Sequence, residues 1–168
     1  MASDGSLREV QESDLDKLFE HQADPVAYTL ADFPPRDHEA FMVHWARILA
    51  DDSVWHRAIV ADDQLVGHVV CFKRDGVQEV GYWIGREFWG RGYASAALAK
   101  FLPLVPARPL HANLVKTNIG SRRVLEKAGF SLLREEGDDL LMILKQQNEC
   151  RFSAWMRSTC IEKSRVSK

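Results

Sequence analysis

The sequence predicts an α/β fold in which one mixed β-sheet carries helices on its faces. Three observations lead there. Apolar stripes at helical spacing occupy the first 50 residues, three strand-like runs joined by short turns follow, and strands then alternate with helices to residue 144. A chain of 168 residues is one ordinary domain, long enough to bury a sizeable core.

Leu7 to Val10 reads as a short strand. Ser13 is a candidate helix cap, with Asp14 and Asp16 where the helix dipole favours them, and Leu15, Leu18 and Phe19 on one face. Asp24-Pro25 should break that helix. After Pro34-Pro35, Asp37 caps a second helix whose stripe is Phe41, Trp45, Ile48 and Leu49. Trp55–Ala61, Leu65–Phe72 and Val77–Ile84 form a three-strand antiparallel meander, turning at Asp62-Asp63 and Asp75-Gly76. Gly85 to Gly92 is a glycine-bearing connection, and Tyr93 to Leu102 is a helix stopped by Pro103 and Pro106. Leu110–Val115 is a strand that a crossover makes parallel to Val77–Ile84. Asn118 caps a helix that runs to Ala128, with Gly129 in the left-handed position beyond it. Phe130–Arg134 and Leu140–Leu144 close the sheet around a Gly137-Asp138 turn.

Composition excludes several classes. Apolar residues make up 46% and charged residues 27%, as in soluble globular proteins. With 22 basic and 24 acidic residues the formal charge is −2, which does not suit a nucleic-acid-binding surface. Cys71, Cys150 and Cys160 are too few and too scattered for a disulfide framework, and no metal-ligand spacing occurs. The start, Met1 to Gly5, has no signal pattern, and no apolar run approaches the ~20 residues of a membrane span. A cytoplasmic setting with no metal, no nucleic acid and no membrane partner is expected.

The chemistry-bearing stretch is Glu79-Val80-Gly81-Tyr82-Trp83-Ile84-Gly85-Arg86-Glu87-Phe88-Trp89-Gly90-Arg91-Gly92-Tyr93-Ala94. A strand enters a loop with glycines two apart, and a helix begins at once. Backbone amides from about Trp89 to Ala94, with the helix N-terminus, suit a diphosphate. The plainer alternative is a tight strand-to-helix turn without a ligand. The third glycine of a dinucleotide fingerprint is replaced by Ser95, and no Gly-Lys-Ser/Thr occurs, so neither a Rossmann site nor an NTPase loop fits.

The segment resembles the acetyl-coenzyme A motif of the GNAT-family N-acetyltransferases, Gln/Arg-x-x-Gly-x-Gly/Ala. Gly-Tyr-Trp-Ile followed by Trp-Gly-Arg-Gly-Tyr-Ala is similar to the RimJ/RimL-like branch, which acetylates ribosomal-protein N-termini. A second block, Asn118-Ile119-Gly120-Ser121-Arg122-Arg123-Val124-Leu125-Glu126-Lys127-Ala128-Gly129-Phe130, resembles that branch's Asn-x-x-Ser-x-x-(apolar)-x-Glu-Lys-x-Gly-Phe. The resemblance covers about 140 residues, from Leu7 to Lys145, and so implies an acetyltransferase domain over residues 1–145.

The resemblance implies a GNAT-like mixed sheet flanked by helices on both faces, with a splayed strand pair that holds the cosubstrate acetyl-CoA. Pantetheine would lie beside Trp83 and Ile84. Trp89, Gly90, Arg91, Gly92, Tyr93 and Ala94 would hold the diphosphate, and Asn118 and Ser121 would lie near the acetyl thioester or the pantetheine arm. It also implies direct attack by a primary amine, of a protein N-terminus or a small molecule, in a ternary complex. Glu79 is the candidate base, with a solvated strand carboxylate as the plainer reading. His68 on the neighbouring strand, within plausible reach of Glu79, comes second, and His111 is weighed in the same way. Asn118 is equally a helix cap, and Ser121 equally a local hydrogen-bonding residue.

Two positions depart from the family pattern. Glu87 replaces Gln/Arg, so its side chain must point away from phosphate. Leu125 stands where many members have a tyrosine that protonates the leaving thiolate, which leaves Ser121 or water for that task. A catalytically idle acyl-CoA sensor or scaffold on the same fold is therefore the alternative. Cys71 reads as buried and inert, and Phe41, Trp45 and Trp55 as core or acceptor-groove walls. Phe33-Pro34-Pro35 is expected to border the acceptor. Residues 146–168 form a basic extension with five basic and two acidic residues (+3), leaving 17 basic and 22 acidic (−5) in the rest. The acidic excess suits a cationic acceptor, and either a monomer or a homodimer is compatible with the sequence.

Overall fold

The structure is a computed structural model, and residues 4–146 are described. The extension beyond Gln146, with Cys150 and Cys160, lies outside the described residues.

Seven strands form one mixed sheet in the order β1-β2-β3-β4-β5-β7-β6. They are β1 (Ser6–Arg8), β2 (Trp55–Ala61), β3 (Gln64–Arg74), β4 (Val77–Ile84), β5 (Leu110–Val115), β6 (Ser131–Glu136) and β7 (Asp139–Leu144). The helices are α1 (Leu15–Ala23), α2 (Pro25–Ala31), α3 (His38–Ala50), α4 (Tyr93–Phe101) and α5 (Ile119–Lys127). All neighbouring strands are antiparallel except β4 and β5, which run parallel. The expected meander is present, and its turn residues Asp62, Asp63, Asp75 and Gly76 all have positive φ.

Strand alternation sends successive side chains to the two faces of the sheet. Val69, Cys71, Val80, Leu110 and Ala112 pack with Leu98 and Phe101 of α4 and Leu125 of α5. On the opposite face, Leu15 and Leu18 of α1 and Phe41 and Trp45 of α3 cover Ala58 and Val70.

Two local expectations change. Ser13 does not start the first helix. A single 3-10 turn, Glu12–Asp14, precedes α1, and the carboxylate that closes it belongs to Asp14, which accepts the Gln11 N–H at 2.8 Å. Arg8 grips the same carboxylate with two 2.7 Å hydrogen bonds. Asp24-Pro25 ends α1 as expected, but it also begins α2. The Asp24 carboxylate accepts the Val26 N–H at 2.9 Å, and Pro25 occupies the first helical position, where a missing N–H is harmless.

Candidate functional site

The site begins where the parallel pair parts. β4 and β5 are in register only at Glu79 and His111. Beyond that point Tyr82, Trp83 and Ile84 remain paired with β3, through Val69, His68 and Gly67, but have no partner on β5. One edge of β4 is therefore unpaired backbone facing a gap, a place where an extended polar chain can hydrogen-bond.

The loop after β4 closes one end of this gap. Gly90 and Gly92 have φ of 73° and 82°, and a Cβ at either would meet nothing within 4 Å. These left-handed positions leave the loop backbone uncovered by side chains, the condition a backbone anion site needs. Gly92 caps α4 with no side chain, so the first-turn amides of Tyr93, Ala94 and Ser95 keep free donors at the positive end of the helix. The Tyr93 side chain is buried against Phe88. The Trp89 indole N–H donates to the Ile84 carbonyl at 2.8 Å and fixes the loop to the strand end. Glu87 turns towards α1, with Oε1 3.7 Å from both Lys17 Nζ and His21 Nε2. No carboxylate of the loop is thus committed to the cradle.

α5 closes the other side. Asn118 Oδ1 accepts the Ser121 N–H at 3.1 Å, the cap its sequence position suggests. The Ser121 hydroxyl lies 2.7 Å from the Tyr82 hydroxyl, which also reaches the Ser121 carbonyl at 3.2 Å. Burial pushes the Tyr82 phenol up to about 12, with Ser121 pulling the other way. Leu125 is fully buried in the core.

Loop, strand end and helix enclose one cavity of about 420 Å³. Of the residues expected to bind the cosubstrate, Trp83, Ile84, Trp89, Gly90, Gly92, Tyr93, Ala94 and Asn118 line it, and so does Ser121. Arg91 does not. Its guanidinium lies over the Phe88 ring, 5.9 Å from the centroid. Tyr82, Ser95, Gly120 and Val124 line the cavity without having been expected there, as do Ala27, Leu30 and Ala31 of α2. Tyr82 was visible in the motif, since alternation along β4 sets it opposite Trp83 and towards α5. The α2 wall had no such signal.

Glu79 stands at the apex of the fork, outside the cavity lining, and accepts a 2.7 Å hydrogen bond from Arg74. His111 is its cross-strand partner. His68 is not near Glu79. It pairs with Trp83, while Glu79 pairs with Phe72, four residues or roughly 13 Å along the strand. The His68 ring is buried edge-on against Trp45, and burial pushes it down to about 3. It is neutral and a very weak base. Cys71 is fully buried, and burial pushes its thiol up. Phe41 and Trp45 are core, and Trp55 packs against the other cluster, that of Val69, Cys71 and Leu110. Phe33 stands edge-on to Trp83 at 5.9 Å, which brings the Pro34-Pro35 loop beside the fork. Among the described residues no group of three His, Cys, Asp or Glu could hold a metal ion, and no helix is long and apolar enough to cross a membrane.

Comparison with known proteins agrees with this geometry. The family described as "Acetyltransferase (GNAT) domain" matches residues 6–131. The chain is 32% identical over 100 residues to "Putative ribosomal N-acetyltransferase YdaF" of Bacillus subtilis (strain 168). That match covers 55% of this chain, and it spans 54%, about half, of the relative's length. Among solved structures, a GNAT-family acetyltransferase from Bacillus anthracis superposes with a TM-score of 0.72 at 19% identity, covering 88% of this chain and 98% of the other. A spermidine N-acetyltransferase from Vibrio cholerae, in complex with CoA and spermine, gives 0.74 at 15% identity with the same coverage. At these identities the structural likeness is one of fold.

Proposed function

The chain belongs to the GNAT acetyltransferase family, and on that premise we propose that it transfers an acetyl group from acetyl-CoA to a primary amine by direct attack in a ternary complex. The observation that carries this reading is the continuity of the fork with the glycine cradle in one cavity. The residues fit the cosubstrate. Gly90, Gly92 and the first turn of α4 offer a diphosphate backbone donors without a side chain in the way. The edge of β4 at Tyr82–Ile84, which no β5 residue pairs, offers a pantetheine arm strand-like hydrogen bonds beside the Trp89–Ile84 bond, and Trp83 and Val124 give it apolar walls.

Acetyl-CoA supplies the activated acyl carbon; the protein's part is to align the amine, remove its proton and relieve charge on the departing sulfur. Glu79 is the only acid on β4 or β5, and its place at the apex suits a base that acts through water. Ser121 suits the sulfur side.

The lining also speaks to the acceptor. Among the described residues it contains no acid, lysine, arginine or histidine. An amine reaching the thioester there has to be largely neutral on arrival. An α-amino group, with a pKa of about 7.7–8.0, is neutral a few hundred times more often at neutral pH than an alkylamine near 10.4. The reading therefore favours a protein N-terminus, or a small amine of similar basicity, over a polyamine. The ribosomal N-acetyltransferase name of the Bacillus subtilis relative points the same way.

Release of CoA thiol from acetyl-CoA, followed with free and N-terminally blocked peptides, polyamines and aminoglycosides, tests the proposal. A free peptide N-terminus should give the fastest release, and blocking it should abolish release. CoA binding with no acceptor-dependent release across the panel would favour a binding module instead.

A further inference from the structure

We infer that Tyr82 is a positioning residue that aims the Ser121 hydroxyl at the leaving sulfur, in place of the tyrosine that Leu125 lacks. This inference rests on the acetyl-CoA reading given above. Three observations carry it. The Tyr82 and Ser121 hydroxyls are 2.7 Å apart, both residues line the cavity, and they come from the two walls of the gap, β4 and α5. Tyr82 lies past the last β4–β5 pair, and its hydroxyl reaches both the hydroxyl and the carbonyl of Ser121 on α5. Leu125, one helical turn beyond Ser121, is fully buried and carries no proton to give.

The hydrogen-bond count decides the role. Each hydroxyl has one proton, and two arrangements satisfy the geometry. In the first, Ser121 donates to Tyr82 and Tyr82 donates to the Ser121 carbonyl at 3.2 Å, so neither offers a donor to the cavity. In the second, Tyr82 donates to Ser121 Oγ, and the Ser121 proton is free to point into the cavity. Negative charge on a sulfur in the cavity selects the second. The Tyr82 bond then also polarises the Ser121 hydroxyl and strengthens its outward bond. A phenol that burial keeps protonated far above neutral pH never loses this ability in the working range. Without Tyr82, the serine hydroxyl is left to turn back on its own helix, as serines in a first turn do.

The bonds balance without proton transfer from either hydroxyl. The amine lone pair forms the C–N bond. The C–S pair leaves on sulfur, which is held by the Ser121 O–H and then takes a proton from solvent. The acetylated nitrogen gives up one proton to base or water.

The test uses CoA itself, whose bound thiol reports the same hydrogen bond without turnover. The thiolate absorbance of bound CoA is titrated against pH in the wild-type protein, in Tyr82→Phe, in Ser121→Ala and in the double variant. The wild type should ionise bound CoA at lower pH than free CoA. Tyr82→Phe should raise that midpoint by about half a unit to one unit, matching a 3- to 10-fold fall in kcat with little change in the KM for acetyl-CoA. In the Ser121→Ala background the Tyr82 change should add nothing, because its effect runs through the serine. Equal midpoints in wild type and Tyr82→Phe, or full additivity in the double variant, would overturn the inference. If Tyr82→Phe does not fold, Ser121→Ala decides alone: an unchanged midpoint overturns the inference, and a raised one supports it. Failure of the wild type to bind CoA would instead remove the acetyl-CoA reading beneath it.

Discussion

The Trp89 indole N–H donates to the Ile84 carbonyl at 2.8 Å, although Trp89 is 39% exposed. This bond joins the end of β4, where the thioester arm would lie, to the loop that would hold the diphosphate. A side chain this exposed adds little to stability, so its bond acts mainly on the loop. Trp89→Phe should leave the melting temperature within a few degrees of wild type. It should weaken CoA binding by roughly 5-fold, the worth of one hydrogen bond of about 1 kcal/mol. Calorimetric titration with CoA checks this, and unchanged affinity would show that the loop needs no tie.

Asn118→Ala removes the Oδ1 that caps α5 at the Ser121 N–H. Loss of such a cap costs about 1 kcal/mol, read as a lower denaturant midpoint at constant slope. Because the cap also fixes the turn that presents Ser121, turnover should fall by more than stability alone explains. Asn118→Asp should restore stability by keeping the cap. A midpoint equal to wild type in Asn118→Ala would contradict the cap role.

Glu79→Gln keeps the shape of the side chain and one hydrogen bond to Arg74 while removing the carboxylate. If Glu79 takes the amine proton through water, kcat should fall by about 10²-fold or more, with CoA affinity nearly intact. The loss should shrink at alkaline pH, where more of the acceptor is already neutral. Unaltered turnover would take the base role away from Glu79.

His68 gives a dependence of stability on pH that has nothing to do with catalysis. Burial holds its folded-state value down at about 3, against about 6.5 for an unfolded histidine. Between those values the unfolded chain binds a proton that the folded chain refuses. Stability is therefore fully present above about pH 6.5 and is lost progressively towards pH 3. Asp14 adds to the same limb only at lower pH. Its carboxyl is held below the ordinary value by the Arg8 hydrogen bonds, so its contribution is lost on protonation there. His68→Gln should make the stability profile between pH 6 and 4 less steep, measured by urea unfolding, while His21, His44 and His56, also held low by burial, keep part of the slope. A profile as steep as wild type would mean that His68 is protonated in the folded protein.

Much of the sheet was legible because strand alternation and turn chemistry agree. Asp62-Asp63 and Asp75-Gly76 supply the positive φ their turns need, and the apolar runs between them leave one register. The glycine loop was legible for a similar reason, since glycines between a strand and a helix mark left-handed backbone that sequence displays directly. α2 was not. Pro25 breaks a helix and starts one equally well, and only the Asp24 cap, a matter of side-chain conformation, separates the two. The error over His68 arose because neighbouring strands fix proximity by register, and register placed it at Trp83 rather than Glu79. The Tyr82–Ser121 contact joins residues 39 positions apart, a distance that no local spacing encodes. The fork itself is a divergence of two backbones, and both of its strands read as ordinary strands in sequence.

The Gly90–Gly92 cradle is proposed to receive the diphosphate of acetyl-CoA, and every role proposed for the cavity follows from that binding. Its most direct measure is calorimetric titration of CoA into wild type, Gly92→Asp and Gly76→Asp. Both glycines have φ near 80° with open space around them, so both substitutions impose similar backbone strain, but Gly76 sits in the β3–β4 turn, outside the cavity lining. Wild type and Gly76→Asp should bind CoA, and a folded Gly92→Asp, whose carboxylate would meet phosphate at the helix N-terminus, should not. Equal affinity in all three proteins would contradict the cradle's role.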